Sequence, residues 1–435
     1  MNHIAVYRRF NQLWQKVLND LLIKGLHPHM KNLICDNQHG FVPNKSCFTN
    51  LATYSDFISK YMDAKCDVHS VYTDFKKAFD VVPFNLLLYK MQYRFGIANN
   101  ELQWFKSYLY NRYQRVVLHG IESAWVEVTS GVPQGSILGP SLFLMYIDDL
   151  PLECVNSESL LFADDNKIFR VISCLADCFK LQCDLDNVYE WCIQWKLNLH
   201  LDKCFSICFS NRRKNKILFT YKFGTQVIES IDNIKDLGIY FSSNFTFKYH
   251  IEHTVSQALK MLGFINRTCK AFDDKSVLIS LYKSLVRSKL EYCCSIWCPS
   301  QQYLIDKVER VQKRLLRWVS YRDNHDYKNL GYDHLYELYH LQPLIKRRQL
   351  IDLGNFNKIL NCNINSPYLL SQINFYVPSR RCRRTPVFSS SSRLNVRKDT
   401  FIPRVTELTN YYRELNIFEY NKFVFKRKAS SIIFY

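Results

Sequence analysis

A chain of 435 residues, 47% of them apolar, can bury sizeable cores, and its length suggests roughly three domains. Lysine and arginine number 58 against 39 aspartate and glutamate, a net charge of +19 that favours a polyanionic partner, nucleic acid before an anionic membrane. No apolar run approaches the roughly 18 residues of a spanning helix and MNHIAVYRRFNQLWQ lacks a signal-peptide core, so the expectation is an intracellular protein, nuclear or cytoplasmic, without membrane association.

Residues 12–34 read as helical with a break at Gly25 and Pro28. HSVYTDFKKAFDVV, residues 69–82, begins as a strand, and apolar spacing around Leu86 to Phe95 is helical. QRVVLHG and SAWVEVTSGVPQGS read as a hairpin that enters a Gly/Pro loop, followed by an apolar helix over about Ser141 to Ile147. LLFADDNKIF reads as strand, turn, strand, with Asp164 and Asp165 near the turn. A helix from about Cys174 to Trp195 follows, then a strand at KCFSICFS and another at IKDLGIYFSS. From about Phe247 the stretches HIEHTVSQALKMLGFINRTC, SVLISLYKSLVRSKLEY and YLIDKVERVQKRLLRWVS each carry a helical apolar stripe, so an αβ mixture ends near 245. The 16 cysteines are scattered without a C-x-x-C pair and read mostly as buried thiols, not as a disulfide scaffold or a zinc site.

Three acidic doublets occur: Asp148 with Asp149, Asp164 with Asp165, and Asp273 with Asp274. IDDLP closes an apolar helix before a proline, and AFDDKS precedes a helix that an aspartate can cap. Only the middle pair lies between two strand-like apolar runs, where burying adjacent carboxylates costs several kcal/mol without a compensating cation. Two divalent ions about 4 Å apart, as in polymerase active sites, would supply that compensation. Such a cage needs another acid from a neighbouring strand, and Asp74, ending SVYTD, is placed for it.

VYTDFKKAFDVV, SGVPQGSILGPSLFLMYIDDLP, LFADD, LDKC and IKDLGIYF occur in the order found in the reverse transcriptases of non-LTR (LINE-type) retrotransposons, which this chain resembles from about residue 30 to 320. The likeness implies an α+β right-hand polymerase: fingers and palm with an antiparallel sheet over 1–245, a helical thumb over 246–320, and a basic C-terminal extension over 321–435. It implies that Asp74, Asp164 and Asp165, with the backbone carbonyl of Phe75, hold two Mg²⁺ ions, Mn²⁺ being a substitute. Phe79 matches the aromatic gate beneath the incoming sugar, which selects dNTPs over NTPs. Gln134 and Gly135 match nucleotide and template contacts, and Lys203 matches a lysine at the leaving pyrophosphate. Lys45 stands in the fingers segment NQHGFVPNKS where the family usually has arginine, so a point charge replaces a fork at the triphosphate. IKDLGIYF resembles the grip on the primer end. Asp80 is off the metal spacing and reads as a cap or salt-bridge residue.

The implied activity is RNA-directed DNA synthesis on an RNA template with a DNA primer and dNTPs. No region has an endonuclease signature, so the chain looks like the polymerase-bearing part of a longer reading frame. A degenerate, non-catalytic nucleic-acid-binding remnant is the alternative, favoured by the short fingers and opposed by the three intact aspartates. An RNA-dependent RNA polymerase is disfavoured by Phe79 and by FADD. Along residues 301–320, Lys307, Arg310, Lys313, Arg314 and Arg317 oppose Leu304, Val308, Val311, Leu315 and Val319, which suggests a thumb helix tracking phosphates. The basic segments SRRCRRTP, at 379–386, and KFVFKRK are candidates for nonspecific RNA contact.

Overall fold

The computed structural model describes residues 33–212, 216–270, 274–325, 327–375, 387–388 and 391–434, with Gly25, Met30 and the backbone of residues 3–7. The helix expected over 12–34 falls almost entirely outside the described residues, as does SRRCRRTP. The chain divides into two compact units, Met1–Ser46, Val68–Cys208 and Ile217–Ile231 forming one, and Cys47–Asp67, Phe209–Lys216 and Asp232–Tyr435 the other. This division differs from the expected boundaries at 245 and 320.

The first unit is built on a five-stranded sheet: β1 (Asp67–Thr73), β2 (Glu158–Phe162), β3 (Asp165–Ile172), β4 (Phe205–Phe209) and β5 (Glu229–Ser230), in the order β5-β4-β1-β3-β2. β1 is the middle strand. Six of its seven residues are buried, the polar Asp67, His69, Ser70 and Thr73 among them, because both faces of a middle strand are covered. β2 and β3 form an antiparallel hairpin with Phe162 opposite Asp165, so the loop is the two residues Ala163 and Asp164.

Three helices cover this sheet: α1 (Phe84–Tyr93), α2 (Gly139–Ile147) and α3 (Leu175–Gln194). α2 begins with proline in its first turn, where the missing N–H is no loss, and Ser141 through Ile147 are all buried, so it is apolar on every side. α1 packs on α2, and α3 lies against β3 after a capping box in which Cys174 and Asp177 satisfy each other's backbone. Val71, Leu161 and Ile168 from the sheet join Leu142, Met145, Leu181 and Leu185 from the helices in one core. At a fully buried leucine or isoleucine this burial is worth about 2 kcal/mol.

In the second unit, IKDLGIYFSS is not one strand but a hairpin, Asn233–Asp236 with Ile239–Ser242, because Leu237 and Gly238 both adopt positive φ, 43° and 86°. Helices follow at Lys248–Thr268, Lys275–Leu281 and Gln302–Arg322, with a π-helical turn at Tyr282–Arg287. Residues beyond 321 continue as helices Tyr327–Leu338, Leu344–Leu360, Phe401–Tyr411 and Lys422–Phe434. Of the described cysteines only Cys178, Cys192, Cys204, Cys269 and Cys294 are buried, fewer than the composition suggested, because most of the others lie in turns and loops.

Two of the acidic doublets resolve into ordinary structure. Asp274 caps Lys275–Leu281 by accepting the Ser276 N–H at 2.8 Å. Asp148 is fully buried, accepting the Cys35 N–H at 2.6 Å and the Arg94 guanidinium at 2.8 and 2.5 Å. Asp149 accepts from Lys90 at 2.6 Å, and that ammonium also reaches the Tyr146 carbonyl at 2.7 Å and lies 3.7 Å from the Trp195 ring. Burial brings Lys90 down to about 8 despite the Asp149 carboxylate. Asp148→Ala, which strands Arg94 and the Cys35 amide, should lower unfolding stability by about 3 kcal/mol in urea denaturation; a change below about 0.5 kcal/mol would show that the pair is not structural.

Candidate active site

The end of β1 and the β2–β3 turn meet at one edge of the sheet. Thr73 Oγ1 donates to the Asn166 carbonyl at 3.4 Å, which sets the residue after β1, Asp74, beside the loop that carries Asp164 and Asp165. The three aspartates singled out in the sequence are thereby gathered on adjacent strands. Asp164 is held above the ordinary carboxylate range, first by burial and then by the like charge of Asp74, against the pull of a backbone hydrogen bond. Asp74 Oδ2 is sealed from solvent and accepts no hydrogen bond, with Lys203 Nζ 3.5 Å away. Asp165 is exposed.

Lys203 reaches this position because residues 198–203 cross beside residues 74–76. His200 N–H donates to the Asp74 carbonyl at 2.7 Å, Lys76 N–H donates to the Asn198 carbonyl at 2.8 Å, and Leu201–Lys203 then forms a 3₁₀ turn. Phe75 stands opposite Leu199 between those two hydrogen bonds and contributes neither its N–H nor its carbonyl to them. Its side chain is buried in the core.

Phe79 is half-buried and stacks on Phe143 of α2, with centroids 4.2 Å apart and planes at 19°. That contact fixes the ring. The loop carrying Gln134 and Gly135 is laced to the same segment: Val132 N–H donates to the Phe79 carbonyl at 2.8 Å, Ser130 Oγ to the Asp80 carbonyl at 2.9 Å, and Gln134 Nε2 to Asp80 Oδ1 at 2.6 Å. Asp80 is therefore a loop anchor, not the helix cap or ion-pair partner expected. Gly131 is obligatory here, since its φ is +87° and a Cβ would sit 2.6 Å from the Asp80 carbonyl oxygen.

Lys45 is not presented as an open point charge. Its side chain is almost wholly buried, and the ammonium donates to the Asp36 carbonyl at 2.6 Å with the Asp36 carboxylate at 3.5 Å. Burial lowers its pKa, and Asp36 partly offsets this.

Sequence reasoning missed Gln38. Its Oε1 accepts the N–H of Ala163 and of Gly40, both at 2.8 Å, and its Nε2 donates to the Ala163 carbonyl at 3.3 Å. The segment around it runs parallel to β2, with His39 N–H on the Leu161 carbonyl and Leu161 N–H on the Asn37 carbonyl, both at 2.9 Å. Ala163 takes a φ of +57°, unusual for a residue with a Cβ, and the Gln38 amide holds it there. A Cβ on Gly40 would lie 2.4 Å from Ala163 N, so the clamp has no room for another residue. The glutamine next to a glycine in NQHGF was the available signal. His39, beside this clamp, is held down to about 3 by burial and by the Lys45 and Lys167 ammoniums, and is neutral in the fold.

Among the described residues no three His, Cys, Asp or Glu side chains close into a cage. The donors present nevertheless suit a hard divalent cation: all are oxygens, one is buried without a hydrogen bond, and two carboxylates repel each other. Asp74, Asp164, Asp165 and the Phe75 carbonyl are the groups that could hold it.

Residues 7–265 match a protein-family model described as reverse transcriptase (RNA-dependent DNA polymerase). Among curated proteins, the RNA-directed DNA polymerase from mobile element jockey of Drosophila funebris is 25% identical over 65% of this chain and 32% of its own length. The probable RNA-directed DNA polymerase from transposon BS of Drosophila melanogaster is 24% identical over 73% of this chain and 36% of its own. The chain thus spans about a third of the length of these relatives. Among solved structures, apo telomerase from Candida tropicalis aligns with a TM-score of 0.44 at 11% identity, covering 82% of this chain and 61% of that one. The resemblance to non-LTR retrotransposon polymerases read from the five motifs is borne out.

Two outcomes test the site without turnover. Gln38→Leu should accelerate hydrogen exchange at the Ala163 amide by roughly tenfold or more, as expected when about 1–3 kcal/mol of hydrogen bonding is lost; unchanged protection would remove Gln38 from the clamp. Asp164→Asn, which relieves the repulsion, should raise the melting temperature at neutral pH in the absence of divalent cations, with about 2–4 °C for each kcal/mol gained. Added Mg²⁺ should then stabilise wild type more than the variant. Equal stabilisation of both would place cation binding elsewhere.

Proposed function

The chain belongs to the reverse transcriptase (RNA-dependent DNA polymerase) family, and from that premise we propose that it extends a DNA primer on an RNA template with dNTPs. Members of this family depend on divalent metal. The observation that carries the proposal is the Asp74 carboxylate, whose buried Oδ2 accepts no hydrogen bond and has the Lys203 ammonium 3.5 Å away, beside the Asp164–Asp165 turn.

In this reading Asp74, Asp164, Asp165 and the Phe75 carbonyl hold two Mg²⁺ ions, Mn²⁺ serving in their place. When bound, the ions polarise the reacting phosphate and neutralise charge on the attacking and leaving oxygens. The chain's own part is positioning and electrostatics, the main sources of rate in phosphoryl transfer. The rigid β2–β3 turn, pinned by Gln38, fixes two of the carboxylates relative to the third. Lys203 brings positive charge to the side of Asp74, where it would meet the leaving pyrophosphate and neutralise or protonate it. Phe79, held against Phe143, would close the space a ribose 2′-hydroxyl requires. Gln134 and Gly135 lie on the loop tied to the Phe79 segment, and would contact the nucleotide and template base. Lys45 would reach the triphosphate only by leaving Asp36, which makes it the weakest of the assigned contacts.

Primer extension on an RNA template with Mg²⁺ and dNTPs tests this directly. Asp164→Ala should reduce incorporation by about a thousandfold or more, as loss of a metal-holding group does, while equal extension by both proteins would refute the assignment. An inactive remnant would show salt-sensitive RNA binding and no Mg²⁺-dependent incorporation by either protein. Phe79→Ala should raise NTP incorporation relative to dNTP by about tenfold, the discrimination one apolar contact provides; an unchanged ratio would remove the ring from sugar selection.

A further inference from the structure

Far along the chain from the aspartates, in the second unit, helix Leu344–Leu360 packs against helix Lys422–Phe434. Between them opens a cleft of about 370 Å³, within the range of sites that hold a small ligand or one base. Leu350, Ile351 and Phe423 supply its apolar surface, and Lys358, Lys422 and Lys426 ring it. A fourth cation, Arg347, is already paired with Glu291, and no carboxylate is among the described residues that line the cleft.

Three features set this cleft apart from an ordinary solvated lysine face. Phe423 leaves 74% of its surface in water although Phe425, two residues on, is buried. The Lys422 ammonium stands 5.2 Å from the Phe423 ring, and Phe418 and Tyr420 extend the exposed aromatic series. Gly354 lies in the wall with nothing within 4 Å of where its Cβ would be, so a residue that weakens the helix by about 1 kcal/mol has no steric cause there and leaves the cleft open.

We infer that this cleft binds single-stranded nucleic acid, a base lying against Leu350, Ile351 and Phe423 and the adjoining phosphates on Lys358, Lys422 and Lys426. Stacking surface interleaved with unpaired cations is the combination that binds such strands without sequence preference. A membrane surface fits less well. The apolar stripe of the C-terminal helix, Phe425, Ala429 and Ile433, is turned into the fold and offers nothing to lie on a bilayer.

Anisotropy of a labelled oligouridylate with the full chain tests the inference. Lys358→Glu with Lys426→Glu should raise Kd about tenfold and flatten the salt dependence by about 1.4, the contribution of two single-strand phosphate contacts. Phe423→Ser and Gly354→Leu should each weaken binding several-fold. Gly354→Leu fills open space in a helix, and Phe423 is exposed, so neither threatens folding. A 4-thiouridine oligonucleotide should crosslink to the peptide holding Phe423. Asp164→Ala should bind as wild type does, and the charge-reversed chain should extend a short primer duplex at the wild-type rate, so failure of the polymerase reading would leave this result interpretable. Unchanged affinity in all three cleft variants, or crosslinks confined to other peptides, would overturn the inference. So would loss of binding to phosphatidylserine vesicles with RNA affinity intact, which would assign the surface to a membrane.

Discussion

Like charges brought together at the end of a buried strand set the terms for the first unit. Asp74 and Asp164 are neighbours in a region partly cut off from water, where burial and the like charge of Asp74 make ionisation of Asp164 less favourable. A fold holds such an arrangement only if the surrounding packing overrides it, and here β1 is buried in the middle of the sheet, α2 is apolar on all sides, and the turn is gripped from outside by Gln38. The same repulsion would be relieved by a cation held between these carboxylates. With the proposed metal-holding role, stability and function would pull in opposite directions at these residues, as they do wherever a protein keeps charge ready for a ligand.

Identical dipeptides meet different fates in this chain because of what surrounds them. Asp148 and Asp149 end α2 among Arg94, Lys90 and backbone donors, so their charges are matched within the fold. Asp164 lies in a two-residue turn, where burial and the like charge of Asp74 both act against its ionisation. Local sequence already separated them, since one pair closes a helix before proline and the other lies between strand-like runs. Spacing could not reveal the cations at 90 and 94, which come from a helix more than fifty residues upstream.

Much of the architecture was legible for a physical reason: the elements that carry the site are strongly periodic or flanked by sharp turns. The β2–β3 hairpin, α2 and α3 fall where alternation and helical spacing put them, and the carboxylate at 74 was placed by its position at the end of a strand. What escaped was tertiary. Gln38 has no periodic signature, and its amide acts across more than a hundred residues on a turn whose strain is invisible in the letters. Lys45 looked like a free cation because its partner, Asp36, lies in a loop with no pattern to flag it. The hairpin at Leu237–Gly238 was read as one strand because a two-residue turn interrupts the alternation too briefly to register.

The grip of Gln38 and Gly40 on Ala163 bears on how decaying copies of a mobile element are judged. A copy that keeps all its aspartates but carries a bulkier residue at 40, or an apolar one at 38, would pass an inventory of acidic residues while its hairpin lost the clamp that holds it. Intactness in such lineages should be counted from the packing between the upstream segment and the turn, and not from acidic residues alone.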